Sequence, residues 1–310
     1  MFDAVASNRR RSIALISLFV LIVLAASWAF NAVIGGGPIG LLFALAFTLA
    51  TSFAAYWKSD AVALAMSHAQ PADQTEYARY HNLIEGLCIA SGLPKPRLYV
   101  IEDDAPNAFA TGRDPKHAAI AVTTGLLAKM NRVELEAVLA HELSHVKNRD
   151  ILVSTLAVTM VGIVAVMSDW AMRFLWWGGP RHRNDRSDSN GNGAAQLMAV
   201  LGIALLVVTP IIAKLMQFAV SRRRESLADL SAVTMTRYPP GLISALEKLR
   251  DDQTVVHSGS RATAHLWIES PIPRSEAEEI PGNERKLSRL NRMFDTHPPL
   301  TERIEALREL

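Results

Sequence analysis

A long uncharged stretch near the start of the chain most limits what this protein can fold into. Residues 12–57 contain no charged side chain, although Asp, Glu, Lys and Arg make up 20% of the 310 residues. A Gly-Gly-Gly-Pro sequence divides it into about residues 13–33 and 39–57, each long enough to span a bilayer as a helix. A cleaved signal peptide is the alternative for the first part, but a second apolar part follows at once. The sequence therefore predicts an N-terminal transmembrane hairpin.

Two further apolar runs predict a second hairpin. Residues 151–168 form one run, and residues 194–213, which Pro210 interrupts, form the other. Five of the six tryptophans lie near the ends of the four runs, as interfacial anchors do. They are Trp28, Trp57, Trp170, Trp176 and Trp177. We expect four transmembrane helices in two hairpins.

The basic residues beside these runs predict their orientation. Arginines at 9–11 precede the first run and arginines at 222–224 follow the fourth, which places both on the cytoplasmic side. The loop at 178–193 disagrees, because its three arginines fall outside on a simple count. Either the charge rule is overridden there or the second hairpin does not fully cross.

The composition excludes some classes of protein. Lys and Arg number 32 against 30 Asp and Glu, so the formal net charge of +2 gives no general attraction to nucleic acid. The single cysteine, Cys88, excludes an intramolecular disulfide.

His141-Glu142-Leu143-Ser144-His145 is the strongest chemical signal, within a segment predicted to be helical over residues 131–150. Residues four apart share one face of a helix, so the two imidazoles can bind one ion. Glu142 can then reach a water on that ion, as in zinc peptidases. The alternative is a solvated histidine pair on a surface helix. A capping-box-like start at Asn131 and an apolar face argue for a buried helix instead.

A catalytic zinc site needs a third protein ligand. Glu225 is the best candidate, because Asp229 follows it four residues later on the same predicted helical face. Glu225 can bind the ion while Asp229 accepts the second N–H of a ligand histidine. From spacing alone, a solvated pair of acids explains the pattern equally well.

The polar segments predict a mainly helical α+β unit. A helix is expected over residues 75–91, followed by strands over 97–101, 107–112 and 118–123. The small sheet thus precedes the predicted metal helix.

Four consecutive parts follow from these patterns. Residues 1–57 form the first hairpin and residues 58–150 the first half of a catalytic domain. Residues 151–220 form the second hairpin, and residues 221–310 the other catalytic half with the third ligand.

The chain resembles the HtpX membrane zinc peptidases, relatives of the CaaX prenyl endopeptidases, over nearly its whole length. The resemblance rests on the paired N-terminal apolar runs and on a series of motifs in the family's order. These motifs are Pro106-Asn107-Ala108-Phe109-Ala110-Thr111-Gly112, the His141–His145 run with Asn148 and Asp150 after it, Arg224-Glu225-Ser226-Leu227-Ala228-Asp229, and Thr296-His297-Pro298-Pro299 followed by Arg303-Ile304.

The resemblance implies a zincin-like (gluzincin) catalytic domain with one Zn²⁺ per chain. Its ligands would be His141, His145 and Glu225, and Glu142 would be the general base. Asp150 and Asp229 would support the ligand histidines.

The family also implies where substrate binds. Asn107, Ala108, Phe109 and Ala110 would pair with substrate backbone as an added strand. His297 is the first candidate for a donor to the oxyanion, with a structural histidine capping a helix as the alternative. Residues 271–284 are either a loop over the site or an ordinary connector.

The function implied is a membrane-embedded zinc endopeptidase of the bacterial inner membrane with a cytoplasmic active site. Its partners would be the lipid bilayer and polypeptides, above all misfolded or damaged membrane proteins, and not nucleic acid. A maturation protease of the CaaX type and a non-proteolytic membrane scaffold or chaperone with a structural zinc site are the alternatives. Formation of a homo-oligomer is left open.

Overall fold

The protein is mainly helical, with one small mixed sheet. The computed structural model describes residues 37–156, 222–257, 266–268 and 299–310, together with single positions between residues 10 and 28. The helices for which the structure gives both ends are α1 (Gly37–Met66), α2 (Ala78–Ser91), α3 (Thr124–Lys129), α4 (Arg132–Lys147), α5 (Arg222–Thr236), α6 (Pro239–Asp251) and α7 (Leu300–Arg308), and residues 151–156 are also helical. The strands are β1 (Gln70–Pro71), β2 (Arg97–Ile101), β3 (Ala108–Gly112) and β4 (Ala118–Thr123).

The four described strands form one sheet in the order β1-β2-β4-β3. β2 and β4 are parallel, while β1 pairs antiparallel with β2 and β3 antiparallel with β4. The three strands predicted from the sequence are confirmed, and β1 was not predicted. β3 lies at an edge of the sheet, which makes its outer side the place where another strand can be added.

Both faces of the sheet are buried. Ala118, Ile120 and Val122 of β4 face the larger core, which α2, α4, α6 and α7 complete. Ala119 and Ala121 face a second core that contains the end of α1. Alternate side chains of a strand point to opposite faces, so an uninterrupted apolar strand such as β4 is suited to burial on both sides.

Helix α4 is fixed at its start and along its length. The Asn131 side chain accepts from the N–H of Glu134 (3.0 Å), and the Glu134 carboxylate accepts from the N–H of Asn131 (2.9 Å). The expected capping box is therefore confirmed. Leu135, Leu139 and Leu143 are fully buried in the larger core. This helix carries the predicted metal-binding histidines into the interior.

Helix α1 changes its surroundings along its length. Large apolar side chains of its first part are exposed, among them Ile39 (68%), Phe43 (74%) and Phe53 (64%). Its last turns are buried against the sheet through Ala63 and Leu64.

No helix within the described ranges is long and apolar enough to cross a membrane. Most of the first predicted span and nearly all of the second predicted hairpin lie outside these ranges. The four-span topology and the four-part division of the chain remain predictions.

Candidate active site

The two histidines of α4 point at one position. His141 Nε2 and His145 Nε2 are 3.2 Å apart, and the two rings meet edge to face with centroids 4.8 Å apart. His141 is 1% exposed, so its imidazole sits in the interior and not on a solvated surface. The alternative of an exposed histidine pair is therefore wrong for this helix.

Glu225 on α5 brings a carboxylate to the same position. Its Oε2 lies 3.5 Å from His141 Nε2, and its Oε1 lies 3.8 Å from His145 Nε2. Each of these three residues offers a ligand atom within 4.8 Å of the others. Around a tetrahedral zinc with bonds of about 2.05 Å, ligand atoms are about 3.3 Å apart. The observed spacings fit an ion of that size.

A carboxylate holds the outer nitrogen of each histidine. His145 Nδ1 donates to Asp150 Oδ2 at 3.0 Å, and His141 Nδ1 donates to Asp229 Oδ1 at 2.9 Å. Because carboxylates accept, both hydrogen bonds keep a proton on Nδ1, so the lone pair of the neutral imidazole, the form that binds a metal, lies on Nε2. The structure thus places Asp150 and Asp229 where the sequence analysis expected support for the ligands.

Arg303 on α7 completes this arrangement and was not predicted as a site residue. Its Nε and Nη2 donate to the two carboxylate oxygens of Asp229 at 2.9 and 2.6 Å, and Nη1 lies 3.8 Å from Glu225 Oε2. The sequence carried one signal for it. Leu300, Ile304 and Leu307 form the apolar face of α7, and position 303 falls on that face.

The charges of the site favour a cation. Burial raises the pKa of Asp229, but Arg303 and His141 outweigh it and hold that pKa at about 2. Burial lowers the pKa of His145, but Asp150 and then Glu225 outweigh it and raise that pKa to about 10. The surplus of buried carboxylate therefore attracts positive charge, which a metal ion can supply.

Glu142 lies in the same electrostatic environment. It is 2% exposed and follows the first histidine on α4. Its charge contributes to the raised pKa values of His145 and Arg303. A buried carboxylate next to the predicted ligands is suited to act as the general base that a hydrolytic metal site needs.

The predicted substrate strand is present, but part of its edge is occupied. Thr123 N–H donates to the Asn107 carbonyl, so Asn107, Phe109 and Thr111 direct their backbone groups to β4. Ala108, Ala110 and Gly112 direct theirs to the outer edge. There Ile268 N–H donates to the Ala108 carbonyl (3.0 Å), and Gly112 N–H donates to Thr155 Oγ1 (3.1 Å).

The segment with Trp267 and Ile268, at the outer edge of the sheet, is packed against β3. The Trp267 ring meets the Phe109 ring edge to face at 5.0 Å and is fully buried. Neither Trp267 nor Ile268 was predicted to lie at the site. His297 and residues 271–284 fall outside the described residues, so their predicted roles remain predictions.

His141, His145 and Glu225 lie together, and Glu142 follows His141 on α4, an arrangement typical of a metallopeptidase. The pattern of peptidase family M48 matches residues 74–310. The chain belongs to peptidase family M48.

Curated relatives agree along the whole chain. A protease HtpX homolog of Thermoanaerobacter pseudethanolicus is 40% identical, with 100% of this chain and 98% of the relative covered. A protease HtpX homolog of Streptococcus gordonii is 38% identical, with both chains covered completely. The resemblance to HtpX peptidases is confirmed, and the family implies a metal, typically zinc.

A solved structure is also similar. The crystal structure of S. mikatae Ste24p matches with a TM-score of 0.49 and 17% identity, covering 99% of this chain and 67% of that one.

Proposed function

We propose that this protein is a membrane-embedded zinc endopeptidase that faces the cytoplasm and hydrolyses misfolded or damaged membrane proteins. The observation that carries the proposal is the convergence of His141, His145 and Glu225 beside Glu142 in a buried site. The match to peptidase family M48 supports the reaction class.

The donor set suits zinc. His141 and His145 would bind it through Nε2, and Glu225 through its carboxylate, which leaves a fourth position for water or substrate. When bound, zinc lowers the pKa of a water toward about 7 and polarises the scissile carbonyl. Asp150 and Asp229 keep the imidazole rings oriented so that both lone pairs stay directed at the ion position.

Glu142 is proposed to move the proton. As a carboxylate it accepts the proton of the attacking water, and as a carboxylic acid it then donates this proton to the leaving amine. Glu142 is buried, so its carboxylate has little contact with bulk water. Its place on α4 keeps it beside the predicted ligand histidines. His297 remains the candidate for an additional donor to the oxyanion.

Substrate is proposed to pair with β3 at Ala110. Its N–H and C=O face the outer edge, between the positions that Ile268 and Thr155 take at Ala108 and Gly112. An extended peptide can form two hydrogen bonds there while its scissile bond approaches α4, against which β3 packs. Recognition through backbone groups suits a protease of many unfolded sequences.

The exposed apolar part of α1 supports the membrane location. Several large apolar side chains on this helix are mostly exposed, including Leu42 (67%) and Leu49 (57%). An apolar surface of this extent is typical of contact with lipid or with another protein. The arginines at 9–11 and 222–224 support a cytoplasmic site through the positive-inside rule.

The first test compares the purified full-length wild type with Glu142→Gln in detergent, without chelator. Zinc per chain is measured together with cleavage of casein. We expect one zinc in both proteins and cleavage only by the wild type, with at least a hundredfold loss in the variant. Glu136→Gln, the same chemical change on the same helix, is the matched control and should cleave normally.

Other outcomes have clear meanings. Equal cleavage by Glu142→Gln would overturn its role as base. One zinc in both proteins without cleavage of casein, of unfolded membrane proteins or of prenylated peptides would favour the scaffold. Cleavage of prenylated peptides alone would favour a maturation protease. Absence of zinc from both proteins would overturn the metal assignment.

A further inference from the structure

Trp57 marks the level at which α1 changes its surroundings. Before it, most of the large apolar side chains that the structure describes on this helix are exposed, and Trp57 itself is 44% exposed. Immediately after it come the exposed Lys58 and the buried Ser59, and from there the helix packs against the sheet. A tryptophan followed by a lysine at such a transition is typical of the bilayer interface.

The sheet brings more cations to this level. β2 begins at Arg97, which pairs with Ala119, and β3 ends at Gly112, which pairs with Ala118. These pairings place Arg97 and the turn after Gly112 at one end of the sheet. That turn carries Arg113 and Lys116. We call Lys58, Arg97, Arg113 and Lys116 the cationic collar.

Direct contacts tie the collar to α1. The Arg113 guanidinium lies 4.3 Å from the centroid of the Trp57 ring, a cation–π distance. Arg97 forms an ion pair with Asp60 of α1 and lies over the Tyr99 ring at 5.9 Å. The end of the sheet is therefore held at the level of Trp57.

The collar has a positive surplus. Its four cations face two nearby carboxylates, Asp60 and Asp114, which leaves +2 with His117 counted as neutral. Asp114 already accepts from His117 Nδ1 (2.8 Å) and from the N–H of Lys116 (2.9 Å). Lys58 and Lys116 are exposed, and the Arg97 side chain is 51% exposed. These three side chains can reach an outside anion.

We propose that the cationic collar binds the phosphates of anionic phospholipids and so fixes the bilayer surface at the Gly112 end of β3. The inference rests on the proposed membrane location and adds the ligand that positions the site. Basic side chains beside an apolar helix are attracted to anionic headgroups, and Arg and Lys suit phosphate oxygens. Arg113 holds Trp57 in place, while Lys58, Arg97 and Lys116 meet the headgroups.

This placement limits which segments of a substrate can reach the edge of β3. The Gly112 end of β3 would lie at the lipid surface beside Arg113, and the strand would lead away from the bilayer toward Ala108. Ala110 lies three residues from Arg113, about 10 Å at 3.4 Å per residue. A peptide added to the β3 edge would then enter directly from the bilayer surface. The favoured substrates would be extended segments that begin a few residues beyond the end of a transmembrane helix.

The test measures lipid retained by the full-length protein. Wild type and Lys58→Gln/Lys116→Gln are stripped of lipid in detergent and titrated with dioctanoyl phosphatidylglycerol, dioctanoyl phosphatidylcholine or inorganic phosphate, with native mass spectrometry as readout. Arg132→Gln/Arg237→Gln removes two other exposed cations and is the matched control, because Arg132 follows the opposite end of β4.

We expect the wild type and the control to prefer phosphatidylglycerol. The collar variant should bind it about tenfold or more weakly, since each surface lysine contributes about fivefold. Equal retention of both lipids by the wild type, or unchanged retention by the collar variant, would overturn the proposal. Displacement of the lipid by equimolar inorganic phosphate would overturn the lipid assignment and indicate a simple anion site.

Casein cleavage in detergent separates this inference from the proposed function. A collar variant that cleaves casein normally but loses phosphatidylglycerol supports both. Lipid preference without cleavage by the wild type would count against the peptidase alone. Cleavage without lipid preference would count against the collar alone. Zinc content and the unfolding temperature check that each variant is folded, and Arg97→Gln serves as a second collar variant.

Discussion

His141 and His145 are oriented by carboxylates of different origin. Asp150 lies on the segment that continues from α4, so the support of His145 is local. The support of His141 comes from Asp229 on α5, which Arg303 on α7 grips through both oxygens. The His141 ring is therefore held in this orientation only when α4, α5 and α7 have packed together.

At the scale of single residues, loss of the predicted ligand Glu225 should weaken zinc binding more than loss of the supporting carboxylate of Asp229. Glu225→Ala removes a donor to the ion, and we expect the purified protein to lose its zinc. Asp229→Asn keeps the shape but weakens the hold on His141 Nδ1, so zinc affinity should fall by about 10- to 100-fold. Competition with a chromophoric chelator measures both affinities.

A surface change provides the control for this pair. Asp251 is an exposed acid that contacts Arg250, away from the site, so Asp251→Asn should leave zinc affinity unchanged. Stoichiometric zinc of unchanged affinity in Glu225→Ala would show that another acid is the third ligand. An Asp229→Asn protein with wild-type affinity would show that His141 is oriented without it.

The sequence revealed the ligand candidates but not their full support. Helical periodicity alone predicted that His141 and His145 share one helix face, and that Glu225 and Asp229 share another. The choice between a metal site and two solvated pairs needed the packing of α4 on α5, which periodicity does not determine. The sequence pattern included Arg303 in a motif but gave it no role in the site, because burial of an arginine depends on partners far away in sequence.

At the scale of elements, Glu134 connects α4 to α6. It completes the capping box and also accepts from Lys248 Nζ (2.7 Å) and Ser244 Oγ (2.7 Å). Burial raises the pKa of Glu134, but the hydrogen bonds from Lys248 and Ser244 outweigh it, and the pKa lies below its ordinary value. The ionised form therefore stabilises the folded protein.

The sign of the pH dependence follows from this lowered pKa. The stabilisation is fully present above the pKa of the unfolded chain, about 4.3, and is lost as the pH falls through the lower folded value. Glu134→Gln retains the cap but loses the ion pair. It should cost about 1 kcal/mol at pH 7, because the Lys248 side chain is 46% exposed and partly screened.

Thermal unfolding of both full-length proteins between pH 7 and pH 3.5 tests this. The difference in unfolding temperature should shrink below pH 4.5, where the wild type loses the advantage of its carboxylate. A difference that stays constant down to pH 3.5 would show that Glu134 stabilises the fold without its charge.

If substrate pairs with the edge of β3, only every second substrate amide should contribute a hydrogen bond to cleavage. A substrate amide that donates to the Ala110 carbonyl cannot do so when it is N-methylated, and the loss of one such bond corresponds to about a fivefold to tenfold slower cleavage. The neighbouring amide points away from β3, so its methylation should have little effect. Cleavage rates of a peptide series, each methylated at one position, measure the pattern. Uniform rates would argue against strand pairing.

Element boundaries show where sequence patterns were sufficient. β2 and β4 match the predicted strands because β-branched and apolar runs are bounded by turn residues there. The predicted helix ending before Gly92 is also confirmed, although it begins at Ala78 instead of residue 75. β1 was missed because two residues, Gln70 and Pro71, carry no periodic signal.

At the scale of the whole molecule, segments far apart in sequence share one core. Helices α5, α6 and α7 come after residue 221 and pack on α4 or on one another, while α2 and the sheet come before it. The order of the motifs suggested that two halves form one catalytic unit. Their relative placement depended on burial of α4 on all sides, which a sequence pattern does not specify.

The cationic collar predicts how cleavage depends on distance from the bilayer. We consider substrates with one transmembrane helix, a Gly-Ser spacer and one cleavable segment, placed with the enzyme in phosphatidylglycerol-containing nanodiscs. Without a spacer the segment cannot reach Ala110, about 10 Å from the surface level at Arg113, so cleavage should be at least tenfold slower than with four to eight spacer residues. Longer spacers should reduce the rate gradually, because the effective concentration falls.

The same substrates in detergent are the control, since the spacer then has no fixed surface to measure from and its effect should be small. Rapid cleavage without a spacer in nanodiscs would show that the Gly112 end of β3 does not lie at the bilayer surface. A rate that rises steadily up to 30 spacer residues would place the site farther out in the cytoplasm. A maximum at four to eight residues is expected only if the Gly112 end of β3 lies at the bilayer surface and the rest of the strand leads away from it along α4.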